Sequence, residues 1–419
     1  MGKYRLGEIA TVEISGVDKK IKDGEKKIRL CNFVDVYYNW AITIAQHDSF
    51  MPATARPNEI SKFQLRKGQV ALTKDSETRD DIGISTYIAD DFDDVILGYH
   101  CALITPQRDI LDGSYLNAIL HTEYAKKYFA CNASGSGQRY ALSVEALNSF
   151  PVPKIPLSEQ KQIGEIFSSL DKKIELNRQI NQNLEAMAKQ LYDYWFVQFD
   201  FPNEDGKPYK SSGGKMVWNE KLKREIPQGW DNGMLIDIAN ITMGQSPDGS
   251  SYNEVGEGML FYQGSTDFGM RFPSVRQYTT APSRFAKKGD ILMSVRAPVG
   301  SINIANNDCC IGRGLSAINS KLGSMTHLYY ILNDLRIAFE QRNAAGTTFG
   351  SITKEDLYSL PIIIPSHEVI RAFDKICSPM FDRQMILGEE IDILTKQRNE
   401  LLPLLMNGQI SVNSDLLHD

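Results

Sequence analysis

The chain has 419 residues, 42% of them hydrophobic and 23% charged, which is typical of a globular protein with more than one domain. Its formal net charge of −6 argues against binding nucleic acid through an overall basic surface, but it allows local basic patches. No apolar run is as long as a membrane helix, no apolar signal segment opens the sequence, and the six cysteines form no motif. We therefore expect a cytoplasmic protein with reduced cysteines and no membrane partner.

The first third of the chain predicts a mixed α/β domain. It opens with the apolar segment Tyr4–Ile14, and in Gln64–Ser76 a basic Lys-Gly turn precedes a short strand. Apolar residues at helical spacing in Ser114–Phe129 predict a helix, which a small-residue loop, Asn132–Arg139, follows. The domain then runs into the proline-rich junction "SVEALNSFPVPKIPLSEQ", Ser143–Gln160.

A long helix is predicted after this junction. Ser158 fits an N-cap behind Pro156, and the helix would span about 60 Å if it reached Val197. Its apolar residues alternate spacings of three and four, as in a coiled-coil seam: Ile163, Ile166, Leu170, Ile174, Leu184, Met187 and Leu191. Asn177 and Asn181 lie near this seam, where they either fix the register or face solvent.

The same order of elements returns about 210 residues later. The corresponding segments are Trp230–Ile241, Arg284–Arg296, Met325–Gln341, the loop Asn343–Ser351 and the junction "TKEDLYSLPIIIPSHE", Thr353–Glu368. Copies of this length are far too long for a solenoid repeat. They indicate a duplication with pseudo-twofold symmetry.

A second long helix is predicted after Ser366. Its seam consists of Ile370, Phe373, Ile376, Met380, Leu387, Ile391, Leu394, Leu401 and Leu405. Gln384 and Arg398 interrupt this seam, and Pro379 is a candidate position for a kink. Neither long helix can bury its apolar stripe alone, so we expect the two to pair with each other; the alternative is that each lies on its own domain.

No catalytic signature accompanies these elements. The sequence has no phosphate-binding loop, no dinucleotide fingerprint with its strand and helix, no histidine pair at metal-ligand spacing and no amino-methyltransferase motif. We therefore predict no catalytic, cofactor-binding or metal-binding residues in this chain, which instead binds or organises other molecules.

One stretch of the sequence resembles a known family. Pro151–Trp230 is similar to the central region of the specificity subunits of type I restriction–modification systems. The matching features are the proline-rich entry with Ser-Glu-Gln, the helix end "LYDYWFVQFDFPN", and the blocks "GKPYKSSGG" and "REIPQGW". The second junction departs from the pattern, because it reads Ser-His-Glu.

The resemblance implies an α+β fold, with two mixed α/β target-recognition domains separated by two long helices that pair as an antiparallel coiled coil. The implied segments are recognition domain 1 (1–152), the central spacer helix (153–200), a linker (201–226), recognition domain 2 (227–362), the C-terminal spacer helix (363–411) and a tail (412–419).

The resemblance also implies a function. Each domain would read one half of a split sequence in double-stranded DNA, while the helices set the gap and dock two modification subunits. Restriction subunits would join this complex, and S-adenosylmethionine, ATP and Mg would belong to the partner subunits, which methylate adenine. Two alternatives remain: the specificity arm of another restriction or methyltransferase class, and a coiled-coil scaffold that does not bind DNA.

The family's readers are loops that follow apolar strands, here within Arg29–Val36, Thr73–Arg79, Phe261–Met270 and Ser294–Gly300. The candidate DNA-binding residues are Asn32, Asp35, Lys74, Ser76, Gln138, Arg139, Gln263, Ser265, Thr266, Asp267, Ser294, Arg296, Thr347 and Thr348. Asn32, Gln263 and Arg296 fit base contacts best. Candidate phosphate contacts are Lys19, Lys20, Lys26, Lys67, Lys74, Lys287 and Lys288. The alternative for the lysine-rich segment 17–29 is a solvated hairpin.

Overall fold

The structure is a computed structural model that describes residues 2–135, 139–344 and 351–406. The chain divides into two compact units, one from 1–176 with 392–419 and the other from 177–391. This division passes through both long helices, so each helix contributes to both units.

The first unit is built on small mixed sheets. Its strands are β1 (Lys3–Arg5), β2 (Ala10–Ile14), β3 (Lys26–Cys31), β4 (Ala41–Ile42), β5 (Met51–Ala55), β6 (Val70–Thr73), β7 (Asp75–Ser76), β8 (Ser85–Ile88), β9 (Val95–Leu97), β10 (Cys101–Pro106), β11 (Ser134–Gly135), β12 (Tyr140–Ala141) and β13 (Pro151–Pro153). The largest sheet has the order β2-β10-β6-β8-β4, and a second has the order β5-β3-β9 with β3 and β9 parallel. Because β2 and β3 belong to different sheets, the lysine-rich segment between them is not a hairpin.

Short helices cover these sheets. They are α1 (Leu6–Ile9), α2 (Phe33–Tyr38), α3 (Pro57–Phe63), α4 (Gly113–Leu120), α5 (Glu123–Asn132) and α6 (Val144–Asn148), and the first long helix, α7 (Leu157–Tyr192), begins in this unit. β6 and β10 are almost fully buried, because one face packs on the α4 side and the other on the β3 side. Such strands read as continuous apolar runs, which is how Val70–Thr73 appears in the sequence.

The second unit repeats this plan. Its strands are β14 (Met216–Asn219), β15 (Arg224–Pro227), β16 (Asp231–Met234), β17 (Ala239–Met243), β18 (Tyr252–Asn253), β19 (Met259–Tyr262), β20 (Tyr278–Thr279), β21 (Phe285–Ala286), β22 (Ile291–Ser294), β23 (Ile302–Ile304), β24 (Cys309–Ile311), β25 (Leu315–Ser320) and β26 (Pro361–Ile364). Its helices are α8 (Leu235–Ile238), α9 (Met325–Ala344), α10 (Lys354–Tyr358) and α11 (His367–Met406). The sheet β17-β25-β22-β23 corresponds to β2-β10-β6-β8, and the parallel pair β19 and β24 corresponds to β3 and β9. The predicted internal duplication is therefore confirmed.

The two proline-rich junctions fold alike. Ser143 caps α6 by accepting a hydrogen bond from the amide of Ala146, and Thr353 caps α10 in the same way. Each short helix leads into a strand that pairs with the first strand of its own domain, β13 with β1 and β26 with β16. A long helix follows in both copies, so the junction is where the domain closes on its own first strand.

Each long helix meets its domain near a carboxylate, which belongs to the domain in the first unit and to the helix in the second. In the first unit Asp112 caps α4, and a Cβ added at Gly164 of α7 would lie 1.9 Å from the Ser114 Oγ and 3.1 Å from the Asp112 Oδ1. In the second unit the helix residue at the position of Gly164 is Asp374, whose Oδ1 accepts hydrogen bonds from Ser324, at 2.7 Å, and Thr326. The same contact is thus made with the acid on the domain in one copy and on the helix in the other.

The long helices pair within each unit, and the pairing is antiparallel. In the second unit Gln384 of α11 contacts Asn181 of α7. Phe373, earlier in α11, contacts Trp195, which follows α7, with ring centroids 5.9 Å apart. In the first unit Arg398 of α11 lies 3.8 Å from Asp171 of α7. The expected helix pair is confirmed in both units.

Polar residues lie inside this helix seam. Asn177, Asn181 and Gln384 are buried, at 1%, 6% and 1% exposure. The Gln384 Nε2 donates to the Asn181 carbonyl and to the Glu185 Oε2, at 3.2 and 3.0 Å. The alternative that the two asparagines face solvent is therefore wrong.

Other details of the helices differ from the sequence analysis. α7 begins at Leu157, so Ser158 lies inside the first turn and does not cap the helix, and Asp193–Val197 forms a π-helical turn. α11 continues unbroken through Pro379. Met187 and Ile376, both predicted in the seam, are 53% and 44% exposed, while their neighbours Ala188 and Cys377 are buried. The side chain of Leu405 lies outside the described part of the chain.

Candidate nucleic-acid interface

An open cleft in the second unit brings together four of the predicted DNA-binding residues. It has a volume of about 210 Å³, and the residues that line it are Gln263, Gly264, Ser265, Thr266, Arg296, Ala297, Arg313 and Gly314. These residues come from three places: the end of β19, the loop after β22, and the turn between β24 and β25. The cleft therefore lies where strands from two sheets end side by side.

Backbone hydrogen bonds fix the walls of this cleft. The amide of Gly312 donates to the carbonyl of Tyr262 at 2.8 Å, and that of Gly314 donates to Gln263 at 3.2 Å. A Cβ on Gly314 would lie only 2.7 Å from the Gln263 carbonyl oxygen, so a glycine is needed for this approach. Ser246 joins the two walls, because its Oγ contacts both the Gln263 Nε2, at 3.0 Å, and the Arg313 amide, at 3.2 Å.

The cleft is positively charged. Arg296 and Arg313 are both exposed, and among the described residues neither guanidinium forms an ion pair. The residues that line the cleft include Gln263, Ser265 and Thr266 as neutral donors and acceptors, and no carboxylate occurs among the described lining. Such a surface suits a ligand that carries negative charge together with hydrogen-bonding groups.

Two other predicted residues support the loops around the cleft. Ser294 is 1% exposed, and its Oγ donates to the Pro298 carbonyl and accepts from the Ser301 amide, at 2.5 and 2.9 Å. Asp267 is 6% exposed and accepts a hydrogen bond from the Arg276 Nε at 2.8 Å. Their contact with DNA stays a prediction, and their structural role is to hold the two loops in shape.

The first unit has an ionic cluster at the corresponding place. Asp75 is buried, and its carboxylate contacts the Lys74 Nζ at 2.8 Å, the His100 ring, and the Arg139 Nη2 at 3.4 Å. The Arg139 guanidinium also lies 2.6 Å from the His100 Nδ1. Burial raises the pKa of Asp75, but the hydrogen bonds from Lys74 and His100 outweigh it, so the pKa lies below its ordinary value. Asp75 is therefore ionised, and it is held by Lys74, Arg139 and the His100 ring.

The predicted residues on α2 form a helix cap. The amide of Asn32 donates to the Asp35 Oδ2 at 2.7 Å, and burial raises the pKa of Asp35 against the effect of this bond. The Asn32 Oδ1 lies 3.0 Å from the place where Gly98 would carry a Cβ. Ser76, on β7, accepts a hydrogen bond from the Thr78 amide at 3.2 Å. The Asn32 carboxamide thus lies beside Gly98, which follows β9, and its Nδ2 lies 3.9 Å from the Met51 Sδ.

The same backbone bonds occur in both units, and they define equivalent positions. Gly98 donates to the Cys31 carbonyl as Gly312 does to that of Tyr262, each at 2.8 Å. The backbone amide of Lys74 donates to the His100 carbonyl, and that of Val295 donates to the Gly314 carbonyl, each at 2.9 Å. By these bonds the equivalent pairs are Asn32 with Gln263, Asp75 with Arg296, Tyr99 with Arg313 and His100 with Gly314.

Some functional candidates were missed by the sequence analysis and others cannot be placed. Arg313 and His100 were not predicted, although the glycines on either side of Arg313 were a usable sign of a tight, exposed loop. Gln138, Thr347 and Thr348 lie outside the described residues. The predicted lysines 19, 20, 26, 67, 287 and 288 are all exposed, and Lys288 forms an ion pair of 2.7 Å with Glu389 of α11.

A search of the described residues finds no helix that could cross a membrane and no group of three or more His, Cys, Asp or Glu side chains placed to hold a metal ion.

Comparisons with known proteins agree with this architecture. The family described as the type I restriction modification DNA specificity domain matches residues 2–186 and again 227–401. The putative type I restriction enzyme MjaX specificity subunit of Methanocaldococcus jannaschii is 31% identical over 370 residues, which cover 86% of this chain and 82% of that protein. The type I restriction enzyme HindI specificity subunit of Haemophilus influenzae is 25% identical over 417 residues, with 84% and 88% covered.

A solved structure shares the fold. The crystal structure of the type I restriction-modification system S subunit from M. genitalium has a TM-score of 0.59 at 15% identity, covering 96% of this chain and 95% of that one. Each half of the chain has one family match, and the two matched ranges coincide with the two copies of the repeated fold. This chain belongs to the family of type I restriction–modification DNA specificity subunits.

Proposed function

We propose that each unit of this chain reads one half of a bipartite DNA target through its loop cleft, and that the chain directs the modification of that target by partner subunits. The observation that carries this proposal is the pair of equivalent loop sites, the cleft of the second unit and the ionic cluster of the first. The same backbone bonds hold them, yet different side chains occupy the same positions, as at Asp75 and Arg296. A fixed frame with variable side chains suits two readers of different sequences.

The paired helices support a spacing role. Within each unit α7 and α11 pack antiparallel. The buried hydrogen bonds from Gln384 of α11 to Asn181 and Glu185 of α7 fix the register of one helix against the other. A rigid pair between two readers fixes the number of unread base pairs between the half-sites. The exposed apolar residues on these helices, which include Leu176, Ile386 and Ile393, suit contacts with the modification subunits.

The chemistry belongs to the partners in this proposal. Modification subunits bind S-adenosylmethionine and methylate adenine, while restriction subunits use ATP and Mg. This chain supplies the sequence selection and the docking surface. Two modification subunits fit the internal duplication, because each repeat offers one equivalent set of surfaces.

Methylome sequencing tests the proposal directly. A host that lacks its own methyltransferases would express this chain together with its modification subunit, and the modified sequence would then be read from genomic DNA. We expect one split, non-palindromic motif, and none when this chain is left out. Methylation that follows a single continuous or palindromic motif would contradict the two-reader proposal.

DNA binding by the isolated chain gives a second test. Because the net charge is −6, we expect weak binding that falls steeply with salt and that the modification subunit strengthens. Binding of labelled duplex would be measured with and without the modification subunit from low to physiological salt. Tight sequence-specific binding by the chain alone at physiological salt would contradict this expectation.

The spacing role is tested by lengthening the helices. Inserting one helical turn into α7 near Asn181 and one into α11 near Gln384 keeps the facing positions matched, and we expect a longer gap with both half-sites unchanged. The control inserts a turn into α7 alone, which separates Asn181 from Gln384 and should lower stability. A change in the half-site sequences would contradict the spacing role.

A further inference from the structure

We infer that the cleft of the second unit selects guanine, and that Arg296 and Arg313 are the side chains that read it. This inference rests on the proposed function, and it goes further by naming the base and the residues. These two arginines lie on two loops that line one cleft together with Gln263. Arginine donates two parallel hydrogen bonds to the O6 and N7 atoms of guanine in the major groove, which makes it the commonest side chain that reads this base.

Both arginines are available for such a contact. They are exposed, and among the described residues no carboxylate pairs with either of them. The backbone at their positions is nevertheless fixed, since Val295, next to Arg296, donates to the Gly314 carbonyl at 2.9 Å. Arg313 is anchored by its amide contact with Ser246. Each guanidinium thus projects from a fixed loop, which is the arrangement that a specific base contact requires.

Comparison with the first unit separates base reading from phosphate binding. A contact with the DNA backbone is needed in every half-site, so it would keep a cation at equivalent positions of both units. Instead the position of Arg296 holds Asp75, and that of Arg313 holds Tyr99. Positions that change charge between two copies of one frame behave as sequence readers. Exposed lysines elsewhere in this unit, such as Lys287, suit phosphate contacts better.

The arginine of the first unit is placed differently. Arg139 lies against His100 and within 3.4 Å of the Asp75 carboxylate, so part of its donor capacity is already used. A buried acid at this position has no counterpart in the described lining of the second cleft. The two half-sites are therefore selected by different chemistry, and guanine reading by unpaired arginines belongs to the second unit.

Single substitutions test the assignment in the complex with the modification subunit. We expect Arg313→Ala and Arg296→Ala each to relax one G·C position of the methylated motif, with a loss of roughly tenfold to a hundredfold in discrimination at that position. Both should act on the same half-site and leave the other half-site unchanged. Arg224→Ala on β15, an exposed arginine outside the cleft lining and outside both long helices, is the matched control and should leave the motif intact.

A modified base sharpens the test. Replacing the assigned guanine by 7-deazaguanine removes the N7 acceptor, so we expect weaker binding by the wild-type complex and no further loss in the Arg variant that reads this base. Uniform weakening on all sequences, with no position relaxed, would identify phosphate contacts and overturn the inference. Relaxation of an A·T pair, or no change in the motif, would also overturn it.

Failure of the inference can be told from failure of the proposed function. If the wild-type complex methylates a bipartite motif and the arginine variants leave its guanines unaffected, only the assignment of guanine to these residues is wrong. If the wild-type complex methylates no bipartite motif, the proposed function is wrong and this inference falls with it. Thermal unfolding of each variant checks folding, and exposed arginines should change it little.

Discussion

The two recognition units use one backbone frame to hold opposite charges. At the position after the strands β6 and β22, the first unit has a buried aspartate held by Lys74, His100 and Arg139, and the second has an exposed, unpaired Arg296. The amide bonds around both positions are the same. The frame therefore depends on buried strands and glycines, while the side chains at its edge can change sign without altering the fold.

We expect the largest difference in stability between variants of the equivalent positions Asp75 and Arg296. Asp75→Ala leaves the largely buried Lys74 ammonium without its acid, and breaking a buried pair in this way costs about 3–5 kcal/mol of unfolding free energy. Arg296→Ala at the equivalent position should change stability by only about 0.5 kcal/mol. Urea unfolding of both variants checks this contrast. Equal losses would mean that the two positions have the same structural role.

The next largest loss of stability is expected where each long helix contacts its domain, at Gly164 and at Asp374. Gly164→Ala places a Cβ 1.9 Å from the Ser114 Oγ, and we expect a loss of about 3 kcal/mol from this overpacking. Asp374→Ala at the equivalent position should cost about 1–3 kcal/mol, because the hydroxyls of Ser324 and Thr326 stay buried without their acceptor. Thermal or urea unfolding gives both values.

A double variant controls for the cause of the first loss. Ser114→Gly removes the colliding Oγ and Cβ, so it should restore part of the stability in the Gly164→Ala background. If Ser114→Gly lowers the stability equally in both backgrounds, the collision is not the reason for the loss.

Each unit contains a histidine with a lowered pKa, buried at His327 and half-buried at His121, and acid should destabilise both units. Burial lowers the pKa of His327 to about 3, and burial, partly offset by the hydrogen bond to the Ser85 carbonyl, lowers that of His121 to about 4. In the unfolded chain each titrates near pH 6.5, so the unfolded state binds more protons at lower pH. Stability is therefore fully present above pH 6.5 and falls below it, by about 2 kcal/mol per histidine at pH 5.

A single variant assigns this pH dependence. His327→Leu should remove the contribution of the second unit and leave that of His121, which a series of urea unfolding curves between pH 5 and 7 would measure. An unchanged slope in the variant would show that His327 takes up its proton without unfolding.

The smallest effect is expected at the surface. Lys288 pairs with Glu389 at 2.7 Å, whereas no ion pair of the equivalent Lys67 occurs among the described residues. A double-mutant cycle on Lys288 and Glu389 should give a coupling of about 0.2–1 kcal/mol that disappears in high salt. Lys67→Ala is the comparison, and it should show no such salt dependence. A coupling that persists in high salt would mean that the pair is effectively buried.

The sequence predicted the repeated frame better than its details. Both junctions and the helix pair follow from apolar spacing and proline positions, whereas that spacing left open whether Asn177 and Asn181 lie in the seam or face solvent. Met187 and Ile376 were wrong, because a spacing of three and four favours the larger apolar residue of two neighbours. Packing in the second unit instead buries the small Ala188 and Cys377, which lie in the same apolar core as Tyr192 and Trp195.

The candidate site was predicted in part for a similar reason. Gln263 and Arg296 each follow an apolar run, so a local pattern finds them. Arg313 joins them only because β19 pairs in parallel with β24, a strand almost 50 residues away in the chain. The ionic cluster of Asp75, His100 and Arg139 likewise depends on long-range contacts that no local pattern reveals.

The exchanged carboxylates at the junctions limit how such a chain can acquire new specificities by recombination. Moving the first recognition domain onto the second helix would set Asp112 against Asp374, and two acids at this distance repel each other. Placing the second recognition domain on the first helix would set Ser324 and Thr326 against Gly164, which has no side chain to accept their hydrogen bonds. We therefore expect an exchanged recognition domain to fit best when it comes from the same position, first or second, of a donor chain.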